Sequence, residues 1–91
     1  MEITRVSIIL SERDRVKAYA TITLDDCFMI HGLEVIRRKT RYLIRMPRVR
    51  RPDGQYVELA LPLNNKTRQM IHKKVVAEYK KVAAESLKPH R

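Results

Sequence analysis

Two thirds of the way along this chain the spacing of apolar residues changes from two to nearly four, and that change limits the folds open to it. Val16, Ala18, Ala20, Ile22 and Leu24 alternate with Lys17, Tyr19, Thr21 and Thr23, the period of a strand with one buried face. Before it, Val6, Ile8 and Leu10 alternate with Arg5, Ser7 and Ile9, and the polar link Ser11, Glu12, Arg13, Asp14, Arg15 is short enough for a hairpin. From Cys27 to Ile36 the chain is apolar on both parities, with Phe28 and Ile30 facing one way and Met29 and Leu33 the other. That pattern predicts a strand near the middle of the sheet, covered on both faces or buried at a subunit contact. Tyr42, Ile44 and Met46 then alternate with Arg41, Leu43 and Arg45, and Val57, Leu59 and Leu61 with Tyr56, Glu58 and Ala60.

Between these last two strands stands Pro52-Asp53-Gly54. Proline presets φ for a turn, aspartate tolerates its second position, and glycine supplies the positive φ that ends it. Pro47 to Gln55 is therefore expected to form the exposed end of a long hairpin. Beyond it, Ile71, Val75, Tyr79 and Val82 recur at helical spacing. Asn64 or Asn65 can cap the start, Pro89 marks a stop, and Lys80 and Lys81 suit the negative end of the helix dipole. The predicted class is α+β: one domain over residues 1–91, with an antiparallel sheet of about five strands (about 3–61) and one C-terminal helix (about 65–85) packed on it.

Charge points to the partner. Twenty Lys and Arg stand against ten Asp and Glu, a formal net charge of +10. The first 36 residues are slightly acidic, whereas residues 37–51 hold Arg37, Arg38, Lys39, Arg41, Arg45, Arg48, Arg50 and Arg51 with no acidic residue. The C-terminal part is basic again, through Lys66, Arg68, Lys73, Lys74, Lys80, Lys81, Lys88 and Arg91. Clustered positive charge is the footprint of a polyphosphate partner. An acidic protein or an anionic lipid offers the same attraction, and a merely solvated basic surface is the bland alternative.

Catalytic chemistry finds little to stand on. Asp25 and Asp26 are adjacent and on a strand would point to opposite faces; on a turn they are most simply turn-formers. His31, His72 and His90 lack ligand spacing, Cys27 is alone, and Gly32 and Gly54 make no phosphate loop. The expectation is a protein with no catalytic residues, metal, cofactor or small-molecule substrate. No apolar run approaches the roughly 20 residues of a membrane span. Met1 to Arg5 leads straight into a strand pattern without signal-peptide organisation. A single cysteine suits a reducing compartment, so the cytoplasm, with the nucleoid as one place within it, is the expected location.

With the elements laid out, residues 16–79 resemble the SpoVG (septation protein G) family. The resemblance is carried by Ala20-Thr21-Ile22-Thr23-Leu24-Asp25, by Phe28, Ile30, His31, Val35 and Ile36, and by Met46-Pro47, Arg50 and Pro52-Asp53-Gly54. It continues through Pro62, Asn64, Thr67-Arg68, Ile71, Val75 and Glu78-Tyr79. It implies a small dimeric bacterial protein that binds DNA and RNA and acts as a regulator linked to septation, sporulation or other global responses, without catalysis. The chain departs from the family where Arg37, Arg38, Lys39 and Thr40 replace an acidic or glycine-containing turn, where Leu61 replaces a common histidine, and in lacking an acidic tail.

The leading site candidate is Arg48, Arg50 and Arg51, on the projecting hairpin end. Arginine forks match phosphate oxygens and the O6/N7 edge of guanine. By resemblance, Arg50 falls on a basic position of a loop credited with nucleic-acid contact, whereas Arg48 and Arg51 replace small polar residues and Val49 a basic one. Arg41 and Arg45 share a face of their strand, with Lys17 able to join them, and Arg37, Arg38 and Lys39 extend the basic run. Lys66, Lys73 and Lys80 repeat every seven residues as a secondary stripe, which on most helices is simply the water-facing side. Tyr19, Tyr42 and Tyr56 are too few, and expected to split between faces, to form a base-stacking platform. The expected partners are DNA or RNA and a second copy of the chain, as a homodimer covering sheet edges and the doubly apolar strand. The competing reading is an adaptor for an acidic protein.

Overall fold

The computed structural model describes residues 1–11, 13 and 15–87. The Pro89 stop, Lys88 and Arg91, and Glu12 and Asp14 of the first link lie outside the described residues. Four strands, β1 (Ile3–Leu10), β2 (Val16–Leu24), β3 (Phe28–Arg38) and β4 (Arg41–Arg45), form an antiparallel meander in sequence order. A separate antiparallel ribbon follows, β5 (Arg48–Arg50) with β6 (Tyr56–Glu58), and then one helix, α1 (Asn65–Ser86). The α+β class stands, with one correction. The strand expected over Val57 to Leu61 does not join the main sheet. Met46 and Pro47 are both buried between β4 and β5. Proline contributes no N–H to a ladder and restrains the residue before it, so the chain leaves the sheet there. Val57, Leu59 and Leu61 are consequently exposed rather than part of the core.

The helix covers one face of the meander. Ala18, Ala20 and Ile22 of β2, Leu33 and Val35 of β3, Ile3 and Met46 are buried with Ile71, Val75 and Tyr79 of α1. The helix backbone comes nearest to the edge strands β1 and β4 and only lightly approaches β2 and β3. The 71, 75, 79 spacing keeps its three buried residues on one face, and Val82 follows half-buried. Tyr79 meets the Tyr42 ring at 5.2 Å between centroids. Burial first, and the neighbouring Tyr42 second, push the Tyr79 phenol above its ordinary pKa. Asn64 is the cap, its side-chain oxygen accepting the Thr67 N–H at 2.8 Å. Lys80 and Lys81 lie a turn short of the helix end. The last turn carries no basic residue, and the dipole acts only within that turn, so the expected match of Lys80 and Lys81 to the negative end of the dipole is not realised.

β3 is interior to the sheet, as its doubly apolar sequence predicts, but the helix covers only one of its faces. Its first residues, Phe28 and Met29, are 62% and 54% exposed. Two register shifts mark the β2–β3 pairing. At one of them His31 and Gly32 together oppose Thr21, and Gly32 has φ 86, a bulge with glycine in the left-handed region. An ideal Cβ on Gly32 would lie 3.5 Å from Pro47 Cβ, which sets the ribbon's starting point directly over the bulge.

Candidate nucleic-acid interface

The ribbon displays its arginines from strands as well as from a loop. Arg48 and Arg50 belong to β5 and only Arg51 to the turn, a correction to the expected exposed loop. The turn itself is the predicted one. The Gly54 N–H donates to the Arg51 carbonyl at 2.9 Å, the Arg51 N–H to the Gln55 carbonyl at 2.7 Å, and Gly54 has φ 90. Asp53 Oδ1 fastens it by accepting the Gln55 N–H at 2.9 Å. The Leu59 N–H donates to the buried Pro47 carbonyl at 2.8 Å, closing the base of the ribbon. Arg48 opposes Glu58 and Arg50 opposes Tyr56. The Arg48 guanidinium lies 3.8 Å from the centroid of the Tyr56 ring, while Arg50 and Arg51 are exposed.

A second cluster forms where β3 turns into β4. Arg38 pairs with Arg41 across a two-residue turn, and Lys39 within it has φ 48, a conformation glycine adopts more cheaply. The Arg37 N–H reaches back to the Arg15 carbonyl at 3.3 Å. Arg15, Arg37, Arg38, Lys39, Thr40 and Arg41 line a bowl of about 640 Å³. No carboxylate among the described residues lines it. Arg45 behaves differently. Its Nε donates to Glu34 Oε1 at 2.6 Å, half-buried, the single ion pair among the described residues. Alternation and register place Arg38, Arg41, Arg45 and Tyr19 on the helix-free face, with Lys17 two residues from Tyr19 on the same parity.

The helix lysines do not act as one unit. All three of Lys66, Lys73 and Lys80 are exposed. Lys80 lines a cleft with Thr40 and Arg41, and its Nζ is 6.0 Å from the Tyr42 ring centroid, so the stripe's last member adjoins the β3–β4 cluster. Four residues outside the expected site border the basic surface. They are Arg15 in the bowl and Tyr56, Glu58 and Arg68 in a cleft beside the ribbon. In the sequence Tyr56 counts with Tyr19 and Tyr42 as a base-stacking residue and is set aside with them, and Glu58 was legible only as the outward parity of a strand. Arg15 and Arg68 lay outside the densest basic run.

Asp25 and Asp26 serve the β2–β3 turn, both with positive φ (50 and 54). Asp25 Oδ1 accepts the Glu2 N–H at 2.8 Å, and the Asp26 N–H donates to Thr4 Oγ1 at 3.0 Å. His31 is hydrogen-bonded through Nδ1 to the Thr21 hydroxyl at 2.9 Å. Among the described residues no three His, Cys, Asp or Glu side chains are grouped to hold a metal ion. No helix among them is long and apolar enough to cross a membrane.

The sequence resemblance is confirmed by comparison with known proteins. The SpoVG family model matches residues 1–81. A protein of Anaeromyxobacter sp. (strain Fw109-5), named as a septation protein SpoVG, is 46% identical over 79 residues, 87% of this chain and 81% of that one. Its counterpart in Myxococcus xanthus is 44% identical over 81 residues, 89% and 82% of the two chains. One from Caldicellulosiruptor bescii is 34% identical over 83 residues, 90% and 94%. The matched region runs from the first strand through most of the helix and includes both basic clusters, and on this evidence the chain belongs to the SpoVG family.

Proposed function

We propose that the protein binds DNA or RNA through the arginine surface that runs from the β3–β4 turn to the β5–β6 ribbon, and that it does so as a homodimer acting in regulation linked to septation. The observation that carries this is the bowl lined by Arg15, Arg37, Arg38, Lys39 and Arg41 without a carboxylate among the described residues. Like charges held together cost free energy in the free protein, and that cost is relieved when a phosphate enters. Arg48, Arg50 and Arg51 extend the same field outward, and their forked guanidiniums suit phosphate oxygens.

Binding of this kind releases condensed counterions, so affinity falls steeply with salt. If a dimer neutralises about 4–8 phosphates, log affinity against log salt should slope at about −4 to −7 on duplex DNA. A shift assay with duplex DNA, single-stranded DNA and RNA at several salt concentrations measures this. No binding, or an affinity indifferent to salt between dilute and physiological buffer, overturns the proposal and leaves the acidic-protein adaptor as the better reading.

A further inference from the structure

We infer that the cleft bounded by the β5–β6 ribbon, by β3 and β4, and by Arg68 of α1 receives one unstacked nucleobase, which makes a single strand the preferred nucleic acid. The inference rests on the phosphate-binding reading above and deepens it. The cleft has a volume of about 390 Å³, within the range of about 300–1,000 Å³ common for small-ligand sites. Ile36 and Leu43 give it an apolar floor, and around them stand Tyr56, Glu58 and four arginines, Arg45 and Arg68 as well as Arg38 and Arg48. Ile36 is 6% exposed yet lies outside the main core cluster, because alternation turns it away from Val35.

Tyr56 forms the wall against which a base can stack. The Arg48 guanidinium covers its ring at 3.8 Å, and the residue is nevertheless 54% exposed. A ring already held by a cation loses little freedom when a ligand arrives, and preorganisation of that kind favours binding. Any base offers a π-face to such a wall.

Glu58 distinguishes this cleft from the bowl. It sits opposite Arg48 in register and lines the same space. A carboxylate repels phosphate, so it is out of place in a site built only for anions. It does accept hydrogen bonds from the amino edge of a base. Arg38 lines both cavities, which makes them neighbours: phosphate in the bowl, base in the cleft. A base inside a duplex is stacked and paired and reaches such a cleft only by being extruded against both.

The test uses three oligonucleotides of equal length, a DNA single strand, its abasic counterpart and a duplex, at one salt concentration. The native protein should bind the single strand roughly ten-fold more tightly than either of the others, the order one base–aromatic stack supplies. Tyr56→Leu should lose that advantage and keep its affinity for the abasic strand, and Tyr56→Phe should retain both. Equal binding of the abasic and normal single strands, or tighter binding of the duplex, overturns the base site while leaving the phosphate reading intact. So does a Tyr56→Leu protein weakened equally on all three. Failure to bind any of them overturns the phosphate reading, and the base site with it.

Discussion

A side chain at position 32 would have to adopt φ 86, and the space for it is not the obstacle. Its Cβ would meet Pro47 Cβ at 3.5 Å, an ordinary van der Waals distance. The cost is backbone strain, about 1–2 kcal/mol for an L-residue held in the left-handed region. Gly32→Ala should therefore lower unfolding free energy by about that amount in a urea titration. Gly54→Ala, at φ 90 with Arg50 Nη2 3.7 Å from the new Cβ, should cost a similar amount for the same reason. A loss below about 0.5 kcal/mol at both positions, the scale of an ordinary surface change, would show that the backbone relaxes out of that region. Gly54 could be read from the sequence, because Pro52-Asp53 before it specifies the turn. Gly32 could not, since an isolated glycine in an apolar strand does not say which neighbour will oppose it. Tyr56 was hidden for a related reason: its value lies in Arg48, eight positions earlier, and only the ribbon register brings the two together.

At the scale of elements, the period-of-two and helical patterns were strong wherever burial imposes them, in β1, β2 and α1. The ribbon was misread because Val57, Leu59 and Leu61 imitate a half-buried strand. Alternation alone carries no mark of which sheet will receive it. Pro47 was the available sign that β4 would not continue into its partner. The ribbon's position also governs how it should respond to mutation. Arg50 and Arg51 are exposed and Arg48 is half-buried on Tyr56, so replacing all three by Ala removes charge and one cation–π contact but little core. Secondary structure by circular dichroism should be unchanged. Stability should fall by no more than about 1 kcal/mol, the worth of an exposed cation–π pair. Nucleic-acid affinity should fall at least ten-fold, as expected when several phosphate contacts are lost together. Lys66→Ala, Lys73→Ala and Lys80→Ala together remove the same charge from α1, and there the loss should be smaller. Of those three, Lys80 borders the β3–β4 cluster. Equal losses in the two triple variants would mean that binding follows net charge, and a larger loss from the helix would move the site there.

For the whole molecule, the helix-free sheet face is graded in charge along its length. At one end Arg38, Arg41 and Arg45 gather beside the ribbon. At the other, Ile9, Tyr19, Thr21, Thr23 and Met29 are uncharged, with Arg5 and Lys17 the exceptions; Glu34, paired with Arg45, lies between the two regions, and register puts Ile9 beside Tyr19 and Met29 beside Thr23. Ile9 is 71% exposed. Apolar exposure of this kind on a small chain, on a sheet with free edges at β1 and β4, is the usual mark of an interaction surface. Charge gradation then selects the geometry. Two copies meeting through their basic ends would repel, whereas meeting through the less charged end would bury Ile9 and Met29 and hold the two arginine surfaces apart. Each would remain free for phosphate, and one nucleic acid could engage both. Light scattering at micromolar concentration should give about twice the chain mass of 10.8 kDa. Replacing Ile9 and Met29 together by Lys should return it to the single-chain mass with helical content unchanged, since both positions are exposed and exposed substitutions shift stability by only about ±0.5 kcal/mol. A native protein of single-chain mass would sink the dimer outright. A double variant that stays dimeric would move the interface to the strand edges or to the exposed Leu59, Leu61 and Leu63 segment.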